Sequence, residues 1–346
     1  MHSRGRLSEA DARINGVTQF NQRNEKALED RDIEFSVVSG SNEEMLLGCL
    51  DSLYKTMKGS RYIWSVTVTC NDPGTGLAGR VRAQYPDAAV IQNDRSRGFA
   101  TNHNRVLKSS RARYTWLLND DLLILPDSVH RITEYLDLPG SSRIGVVSPK
   151  LLNADGSLQP STYGFPSMPQ ILLAHSGLRE LPMTDKLLGI AAPYLRSKAG
   201  SSRYWAHDRI VEVDTLRGAC VAMRMNAVRQ VGTMVEVAIV GGEETEWHRR
   251  FHEQGWKVVY FPDASVIHYG SQTVRDGSRN LYPEYLKGAL YFFKTGRQPA
   301  TYGLFCAALL GMFGVRAAYS WATRDIAGLN VARRYAGVAW NGLSGK

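Results

Sequence analysis

Four short apolar segments, each followed by a polar loop, constrain the fold of this chain more than any other feature. Residues 33–38, 64–70, 88–92 and 115–118 have the length and apolar content of buried strands. The segments between them suit helices, and the first of these carries apolar residues at helical spacing. Because parallel strands need crossover connections, this order predicts an α/β fold with a parallel, doubly wound sheet.

The polar loops after these strands predict where a ligand binds. They comprise residues 39–42, 71–74, 93–98 and 119–121. In a doubly wound sheet, ligands bind beyond the carboxyl ends of the strands. We therefore expect the four loops to converge on one pocket.

The loop after the fourth strand carries an amide and two carboxylates, Asn119, Asp120 and Asp121. Carboxylates at the end of a buried strand are costly unless a cation meets them. Mg²⁺ and Mn²⁺ typically take one or two protein carboxylates and complete their shells with substrate phosphates. The loop therefore indicates a divalent metal site, and a polar turn is the simpler alternative.

His268 is a second candidate metal ligand, because it ends a strand predicted at 264–268. An imidazole together with carboxylate oxygens suits Mn²⁺. A lone histidine is more often structural than a ligand, so both roles stay open from this residue alone.

An acidic helix start follows a Gly-Gly pair at 241–242. Glu243, Glu244 and Glu246 lie in the first turn, where the helix dipole favours carboxylates without any further function. Alternatively, one of them takes a proton from an attacking hydroxyl group. Trp247 follows Glu244 by three residues and would share its helix face, where it could stack on a sugar ring.

The remaining elements are less regular. The sequence predicts a helix at 127–136, strands at 144–148, 212–216 and 219–225, a hairpin turn at 151–157 and a loop-rich insertion at 160–208. Pro262 and Asp263 predict a turn between strands at 256–261 and 264–268. Ser41 and Glu44 predict a capping box at the first helix.

Positive charge is concentrated near the C-terminus. The 346 residues carry a net charge of +9, and residues 275–346 hold ten basic and three acidic residues. This asymmetry points to an anionic surface, either phospholipid or nucleic acid, or to a solvated basic tail. The apolar run 302–315 ends at Arg316, short of the roughly 20 residues that a spanning helix needs. With residues 317–321 and the flanking cations it resembles a surface-lying membrane element, and a buried packing helix or an oligomer contact is the alternative.

Cysteine usage and missing motifs narrow the class of protein. The four cysteines are far apart with no C-x-x-C pair, which favours reduced thiols in a cytosolic protein. Residues 1–32 have no apolar core of a signal peptide. No G-x-G-x-x-G, G-x-x-x-x-G-K-[ST] or nucleophile-elbow motif occurs, which disfavours dinucleotide oxidoreductases, P-loop kinases and esterases.

Several motifs, taken in order, resemble one known family. They are S-V-V-S-G-S-N-E-E-M-L-L-G-C-L-D-S-L, R-G-F-A-T-N-H-N-R-V, W-L-L-N-D-D-L-L-I-L-P, S-P-K-L-L-N-A-D-G-S-L-Q, R-G-A-C-V-A-M-R and G-G-E-E-T-E-W-H-R-R-F-H-E-Q-G-W-K-V-V-Y-F-P-D-A-S-V-I-H-Y-G-S-Q. The set resembles the family 2 glycosyltransferases with the GT-A fold, in the rhamnosyltransferase-like branch of bacterial surface-polysaccharide synthesis. The resemblance covers about residues 33–273.

The resemblance implies a domain plan and an activity. Residues 1–32 would be a polar leader, 33–275 a GT-A domain with a nucleotide-sugar half (33–126) and an acceptor half (127–275), and 276–346 a helical, membrane-associating segment. The reaction would be an inverting transfer from a nucleotide-diphosphate sugar, dTDP-rhamnose as the first guess, with Mn²⁺ or Mg²⁺ as cofactor. The acceptor would be a saccharide linked to polyprenyl diphosphate.

The resemblance also implies roles for individual residues. Asp121 and His268 would bind the metal, and Glu244 would be the catalytic base. Donor-binding positions would be Ser39, Ser41, Asn71, Asp72, Arg97, Asn104, Asn119 and Asp120. Beyond the resemblance, the positions that we predict to contact the acceptor or the transferred sugar are Gly218, Glu243 and Trp247.

Three positions depart from the family pattern. The D-x-D motif begins with Asn119, and Cys70 stands where the family often has an aspartate, so base recognition would fall to Asp72 or to backbone groups. Glu244 replaces an aspartate and is one methylene longer, which would place the acceptor slightly farther away.

Partners and alternatives follow from these assignments. The enzyme would act in the cytoplasm, peripherally on the inner face of the plasma membrane, without nucleic acid, and homo-oligomer formation stays open. One alternative is a sugar-phosphate nucleotidylyltransferase, although S-G-S-N-E-E lacks the basic residues of its phosphate loop. The other alternative is a non-enzymatic protein that binds anionic lipid or nucleic acid. Against it, a carboxylate-rich pocket would repel polyphosphate unless a metal ion intervened.

Overall fold

The first half of the chain forms the predicted alternation of strands and helices. The computed structural model describes residues 31–40, 42–175, 207–237, 241–270, 282–296 and 299–344. Its first elements are β1 (Ile33–Ser39), α1 (Glu43–Met57), β2 (Trp64–Cys70), α2 (Leu77–Gln84), β3 (Ala89–Gln92), α3 (Phe99–Ser109), β4 (Tyr114–Asn119), β5 (Leu122–Ile124) and α4 (Ser128–Asp137). Each of the four strands predicted between residues 33 and 118 lies within one or two residues of an observed one.

The second half contains longer strands and more irregular connections. After a 3₁₀ turn (Pro139–Ser141) come β6 (Ile144–Leu152), β7 (Leu158–Gln159), β8 (Thr162–Tyr163), α5 (Met168–His175), β9 (Val211–Glu212), β10 (Thr215–Leu216), β11 (Cys220–Arg224), α6 (Met225–Val231), α7 (Glu243–Glu253) and β12 (Lys257–His268). Three helices follow, α8 (Tyr282–Gly296), α9 (Pro299–Ala322) and α10 (Ile326–Ser344).

The main sheet is mixed. Its strand order is β3-β2-β1-β4-β11-β6-β12-β5, with β7 paired to β6 and β9 paired to β12. Strands β1 to β4 are mutually parallel, whereas β11 runs antiparallel to both β4 and β6. The parallel doubly wound pattern therefore holds for the first half, and the second half adds antiparallel strands beside it.

Three local predictions differ from the structure. A single strand, β12, replaces the two strands predicted around Pro262 and Asp263, and its pairing with β6 shifts register between Phe261 and Ser265. Because proline has no N–H to donate, the strand passes this point as an irregularity rather than a turn. The cap of α1 is Asn42, whose Oδ1 accepts from the Met45 N–H at 3.1 Å, and not the predicted Ser41, which lies outside the described residues.

The third difference concerns the apolar run near the C-terminus. The helix that contains this run does not end at Arg316, because α9 spans 24 residues, Pro299–Ala322. By length and composition α9 is the one helix in the described ranges that could cross a membrane, with a mean hydropathy of 1.4. One face of α9 is buried through Phe305, Leu309 and Phe313.

Buried apolar residues form three clusters. The first lies between β1, β2, β4 and the helices α1, α2 and α4. The second lies beneath α3, α6 and α7 and includes Trp247, Phe251 and Tyr260. The third joins α8, α9 and α10, and Met168, Ile171 and Leu172 of α5 pack against it. The C-terminal helices therefore pack on the insertion predicted at 160–208, of which residues 176–206 lie outside the described ranges.

Candidate active site

A cavity of about 470 Å³ opens at the carboxyl end of β4. Its lining brings together residues from both halves of the chain. They are Asn119 of β4, His268 of β12, Phe99 of α3, Arg217, Gly218 and Ala219 before β11, Gly241, Gly242, Glu244 and Thr245 at the start of α7, and residues of α5 and α8.

Sheet register brings Asp121 and His268 together. Strand β12 pairs antiparallel with β5, which places His268 opposite Leu122, and the Tyr269 N–H donates to the Asp121 carbonyl oxygen at 3.0 Å. His268 Nε2 then lies 3.3 Å from Asp121 Oδ1. Both side chains are buried, at 3% and 5% exposure. Residues 147 positions apart in sequence thus form one polar pair.

Gln159 determines which nitrogen of His268 carries the proton. The Gln159 Nε2 group donates to Asn153 Oδ1 at 2.9 Å and to the His268 carbonyl oxygen at 3.3 Å, which orients its amide. Its Oε1 therefore faces His268 Nδ1 at 2.6 Å, and Nδ1–H is the donor. Neutral His268 then presents a bare lone pair at Nε2.

The residues present fit a divalent cation. Asp121 Oδ1 and His268 Nε2 are both buried and have no hydrogen-bond partner in the described part of the chain. Leaving such atoms unsatisfied costs about 1–3 kcal/mol each, and a cation between two acceptors removes that cost. No cluster of three or more His, Cys, Asp or Glu side chains suited to a metal occurs within the described ranges. Substrate oxygens would therefore complete the shell, as is usual for Mg²⁺.

Asp120 links the ends of β4 and β1. Its Oδ2 accepts from Ser39 Oγ at 2.7 Å and from the Gly40 N–H at 3.3 Å. Burial raises the pKa of Asp120 to about 6, and the neighbouring Asp121 carboxylate adds to the rise. Two predicted donor-binding residues, Ser39 and Asp120, are thereby held beside the Asp121–His268 pair.

Glu244 lies in the same cavity and is closely packed against Gly218. A Cβ at Gly218 would lie 3.3 Å from Glu244 Oε1 and 3.3 Å from Phe99 Cζ, so only glycine fits without displacing a neighbour. Burial raises the pKa of Glu244, while backbone N–H groups of Glu244 and Gly218 and the Arg217 guanidinium oppose that rise. A carboxylate with a raised pKa is a stronger base than an ordinary one.

His248 and a glycine pair fix the position of the helix that carries Glu244. His248 Nδ1 accepts from Thr215 Oγ1 at 2.9 Å and from the Leu216 N–H at 3.3 Å, which ties α7 to β10. Gly241 and Gly242 have φ values of +97° and +93°, a conformation that favours glycine. The chain therefore turns sharply into α7 just before Glu244.

Helix α8 packs directly on this glycine pair. A Cβ at Gly242 would lie 2.8 Å from the Gly288 Cα, and one at Gly241 would overlap the Tyr285 ring. Tyr285, Gly288, Ala289 and Phe292 of α8 also line the cavity. A helix predicted to belong to the C-terminal segment thus forms part of the candidate active site.

Glu243 is fully buried and does not line the cavity. Both of its carboxyl oxygens lack a hydrogen-bond partner among the described residues. Burial raises the pKa of Glu243 to about 8, with the Glu244 charge as the next cause. Burial thus favours the protonated form of Glu243, and its predicted contact with the acceptor stays a prediction.

The prediction that Trp247 stacks on a sugar ring is wrong. Trp247 is 1% exposed, its indole N–H donates to the Gly232 carbonyl oxygen at 2.7 Å, and its ring packs edge-on against Phe251. The i,i+3 relation to Glu244 places it on the same helix, but the ring turns toward the second apolar cluster. Trp247 is a core residue.

Two other predicted residues, Asn71 and Asn104, are engaged within the protein. Asn71 bonds the loop after β3 through Asn93 Nδ2 and the Arg97 N–H, both at 2.8 Å. Asn104 is buried, and its amide bonds the Met234 backbone and Glu236, away from the cavity lining. Their contact with a nucleotide stays a prediction.

Asp72 and Arg97 make local contacts. Asp72 Oδ1 accepts from the Gly74 N–H at 3.0 Å, and Arg97 forms an ion pair with Asp94 at 2.7 Å. Neither lines the cavity. Both stay predicted donor-binding residues.

Sequence reasoning assigned no role to Gln159, Arg217 or Tyr285, although all three belong to the site. Gln159 is the last residue of the motif S-P-K-L-L-N-A-D-G-S-L-Q. The hairpin predicted there, in which β7 pairs with β6, was the sequence feature that could have indicated its position. Arg217 immediately precedes the predicted Gly218. Tyr285 gave no signal, because its contact with Gly241 depends on the packing of α8.

The structure thus combines a mixed α/β sheet with an acidic strand end, a facing histidine and a separate carboxylate in one cavity. Residues 31–282 match the family described as "Glycosyltransferase like family 2". The chain belongs to this family. Two relatives from Mycobacterium tuberculosis strains, each named N-acetylglucosaminyl-diphospho-decaprenol L-rhamnosyltransferase, are 25% identical over 233 residues, 63% of this chain and 70% of theirs.

Solved structures share the fold. The mannosyltransferase PcManGT from Pyrobaculum calidifontis, solved with GDP-Man and Mn²⁺, has a TM-score of 0.52 and 14% identity, with 98% of both chains covered. GalNAc-T7, solved with UDP, GalNAc and Mn²⁺, has a TM-score of 0.50 and 13% identity over 75% of this chain. This chain spans 47% of the GalNAc-T7 chain. The GT-A prediction is thereby confirmed.

Proposed function

We propose that this glycosyltransferase transfers rhamnose from dTDP-rhamnose to a saccharide linked through diphosphate to a polyprenol, with inversion and with a divalent cation. The observation that carries the proposal is the pair Asp121 Oδ1 and His268 Nε2, which face each other at 3.3 Å without hydrogen-bond partners in the described ranges. His268 lines the cavity that also holds Glu244.

Asp121 and His268 would hold the cation, which when bound offsets the negative charge that develops on a leaving diphosphate. Asp120 and Ser39 stand next to them and orient the donor. Glu244 accepts the proton of the acceptor hydroxyl, and its raised pKa suits that role. Because base and diphosphate site are separate groups of one cavity, a single displacement with inversion is the simplest reaction.

The choice of substrates rests on the relatives. The Mycobacterium tuberculosis proteins are named for L-rhamnosyl transfer to N-acetylglucosaminyl-diphospho-decaprenol. Mn²⁺ accompanies the nucleotide or nucleotide sugar in both structural neighbours. These findings support a nucleotide-sugar donor, a lipid-linked acceptor and Mn²⁺ or Mg²⁺ as cofactor.

An exposed face of α9 supports peripheral attachment to the inner face of the plasma membrane. The apolar face of α9, defined here by Leu304, Ala308, Gly311, Val315 and Ala318, is exposed along the helix. Leu304 and Val315 are 74% and 72% exposed. The cations at positions 324, just after α9, and 333 and 334, on α10, are exposed and suit anionic headgroups. A protein attached in this way would meet a polyprenol-linked acceptor on the membrane.

The test is a transfer assay with purified protein, Mn²⁺, dTDP-rhamnose and a short-chain N-acetylglucosaminyl-diphospho-prenol. Release of dTDP together with a rhamnosylated lipid of inverted anomeric configuration is expected. Glu244→Gln should lose transfer by about 100-fold or more and keep donor affinity. Glu253→Gln is the matched control, because Glu253 is exposed on the same helix. Pyrophosphate formation from a nucleoside triphosphate would instead support the nucleotidylyltransferase alternative, and equal activity of Glu244→Gln would contradict the assignment of the base.

A further inference from the structure

The cavity has an apolar wall in addition to the polar part that contains Glu244 and His268. Ile171 of α5 and Ala289 and Phe292 of α8 line this wall. The same three residues belong to, or pack against, the third apolar cluster, which also holds α9 and α10. One side of the cavity thus has polar residues that suit a diphosphate sugar. The other side is formed by α5 and α8, which pack against α9 and α10.

Arg217 is the one lysine or arginine among the residues that line the cavity. Its side chain is exposed, so it stands at the opening. Arg217 Nη2 donates to Tyr163 Oη at 2.8 Å, and its guanidinium lies 6.0 Å from the Tyr163 ring centroid. The tyrosine, itself a lining residue, holds the guanidinium at the cavity.

The charge of Arg217 is available for a ligand. Within the described ranges no carboxylate lies within 4.0 Å of Arg217, whereas Arg249 and Arg250 on nearby α7 both pair with Glu246. The Arg217 charge does act on Glu244 at longer range. An exposed, oriented guanidinium without a close carboxylate is the arrangement that suits bidentate binding of a phosphate group.

We propose that Arg217, oriented by Tyr163, binds the diphosphate of the lipid-linked acceptor, and that the wall of Ile171, Ala289 and Phe292 contacts the first part of its hydrocarbon chain. This inference rests on the proposed function, since only a diphosphate-linked acceptor supplies a second diphosphate. The acceptor saccharide then lies between Arg217 and Glu244. The diphosphate of the donor lies at Asp121 and His268, so the two diphosphates bind at different ends of one cavity.

The test measures equilibrium binding of two ligands with the same saccharide and the same short prenyl chain. One ligand carries the diphosphate linkage, and the other is a neutral prenyl glycoside. EDTA is present, so that no metal at Asp121 can bind the diphosphate. Wild-type protein should prefer the diphosphate ligand, and Arg217→Gln should lose about 10- to 100-fold in affinity for that ligand alone. Tyr163→Phe, which removes only the hydroxyl, should shift affinity in the same direction by less.

Arg61→Gln is the matched control. Arg61 also bonds a tyrosine hydroxyl, Tyr62 Oη at 3.1 Å, and its guanidinium lies 5.1 Å from that ring, but it does not line the cavity. The affinity of the Arg61→Gln variant for both ligands should equal that of the wild-type protein. Unchanged diphosphate affinity in Arg217→Gln, equal loss for both ligands, or no preference in wild type would each overturn the inference. Diphosphate-selective binding without rhamnosyl transfer would instead count against the proposed donor and reaction.

Discussion

His268 Nε2 and Asp121 Oδ1 lie 3.3 Å apart as two hydrogen-bond acceptors that face each other in a buried site. The proton of His268 is on the other nitrogen, because Nδ1 donates to Gln159 Oε1 at 2.6 Å. In the neutral form of the imidazole both atoms are acceptors, and a cation between them would satisfy both. This relationship gives Gln159 a role that can be measured.

Gln159→Leu should weaken Mn²⁺ binding by about 10-fold or more, because the apolar side chain no longer fixes the tautomer of His268. Gln159→Glu keeps an acceptor for Nδ1–H and should retain more affinity. Electron paramagnetic resonance of free Mn²⁺ gives the dissociation constant, and ¹⁵N NMR of the histidine ring reports the tautomer. Equal Mn²⁺ affinity of Gln159→Leu and wild type would show that the hydrogen bond does not position His268.

Gly218→Ala should lower kcat by about 10-fold or more, because a Cβ there lies 3.3 Å from Glu244 Oε1 and displaces the base. Donor affinity should change little. The control is Gly79→Ala on α2, where a Cβ meets no atom within 4 Å. A Gly218→Ala enzyme with unchanged kcat would mean that the contact does not fix Glu244.

Glu243→Gln should stabilise the protein more at pH 8 than at pH 5. Burial and the charges of Glu244 and Glu284 raise the pKa of Glu243 to about 8. Between the ordinary glutamate pKa and this value only the folded state holds the proton, so the free energy of unfolding falls as pH rises, and glutamine removes that loss.

Urea denaturation of wild type and Glu243→Gln at both pH values measures the difference, which we expect to grow by about 1 kcal/mol or more. Glu253→Gln, on the exposed side of the same helix, should show no such pH dependence. A difference that is the same at pH 5 and pH 8 would rule out a raised pKa at Glu243.

Leu304→Glu and Val315→Glu should each reduce binding to vesicles that contain anionic phospholipid, by about 10-fold, because each places a charge on the apolar face of α9. Asn330→Glu on α10 adds the same charge at another exposed position and controls for net charge. Cosedimentation with vesicles measures the bound fraction. If all three variants bind alike, the apolar face of α9 does not contact the membrane.

Local periodicity predicted most of the sheet, because each strand of the first half is a short apolar segment bounded by polar residues. Local periodicity could not predict that β11 lies antiparallel beside β4, because strand order depends on long-range pairing. The turn predicted at Pro262 is wrong, because a proline can lie in an irregular strand as well as in a turn.

The same distinction holds for the site. Asp121 and His268 could be predicted as metal ligands because a carboxylate and an imidazole are common ligands. Their positions at strand ends indicated that they lie close together. The prediction for Trp247 is wrong because helical spacing gives only the approximate side of the helix on which a residue lies. Packing in the second apolar cluster determines where the Trp247 ring points. The contact of Tyr285 with Gly241 comes from the packing of α8, which no local pattern specifies.

Mn²⁺ titration of wild type, Asp121→Ala and His268→Ala in the presence of dTDP tests the central claim most directly. Asp155→Ala in an exposed turn and His130→Ala on α4 are the matched controls. We predict one Mn²⁺ site in wild type and in both controls, and a loss of about 10-fold or more in affinity for each site variant. Equal Mn²⁺ affinity in all five proteins would contradict a metal site at Asp121 and His268.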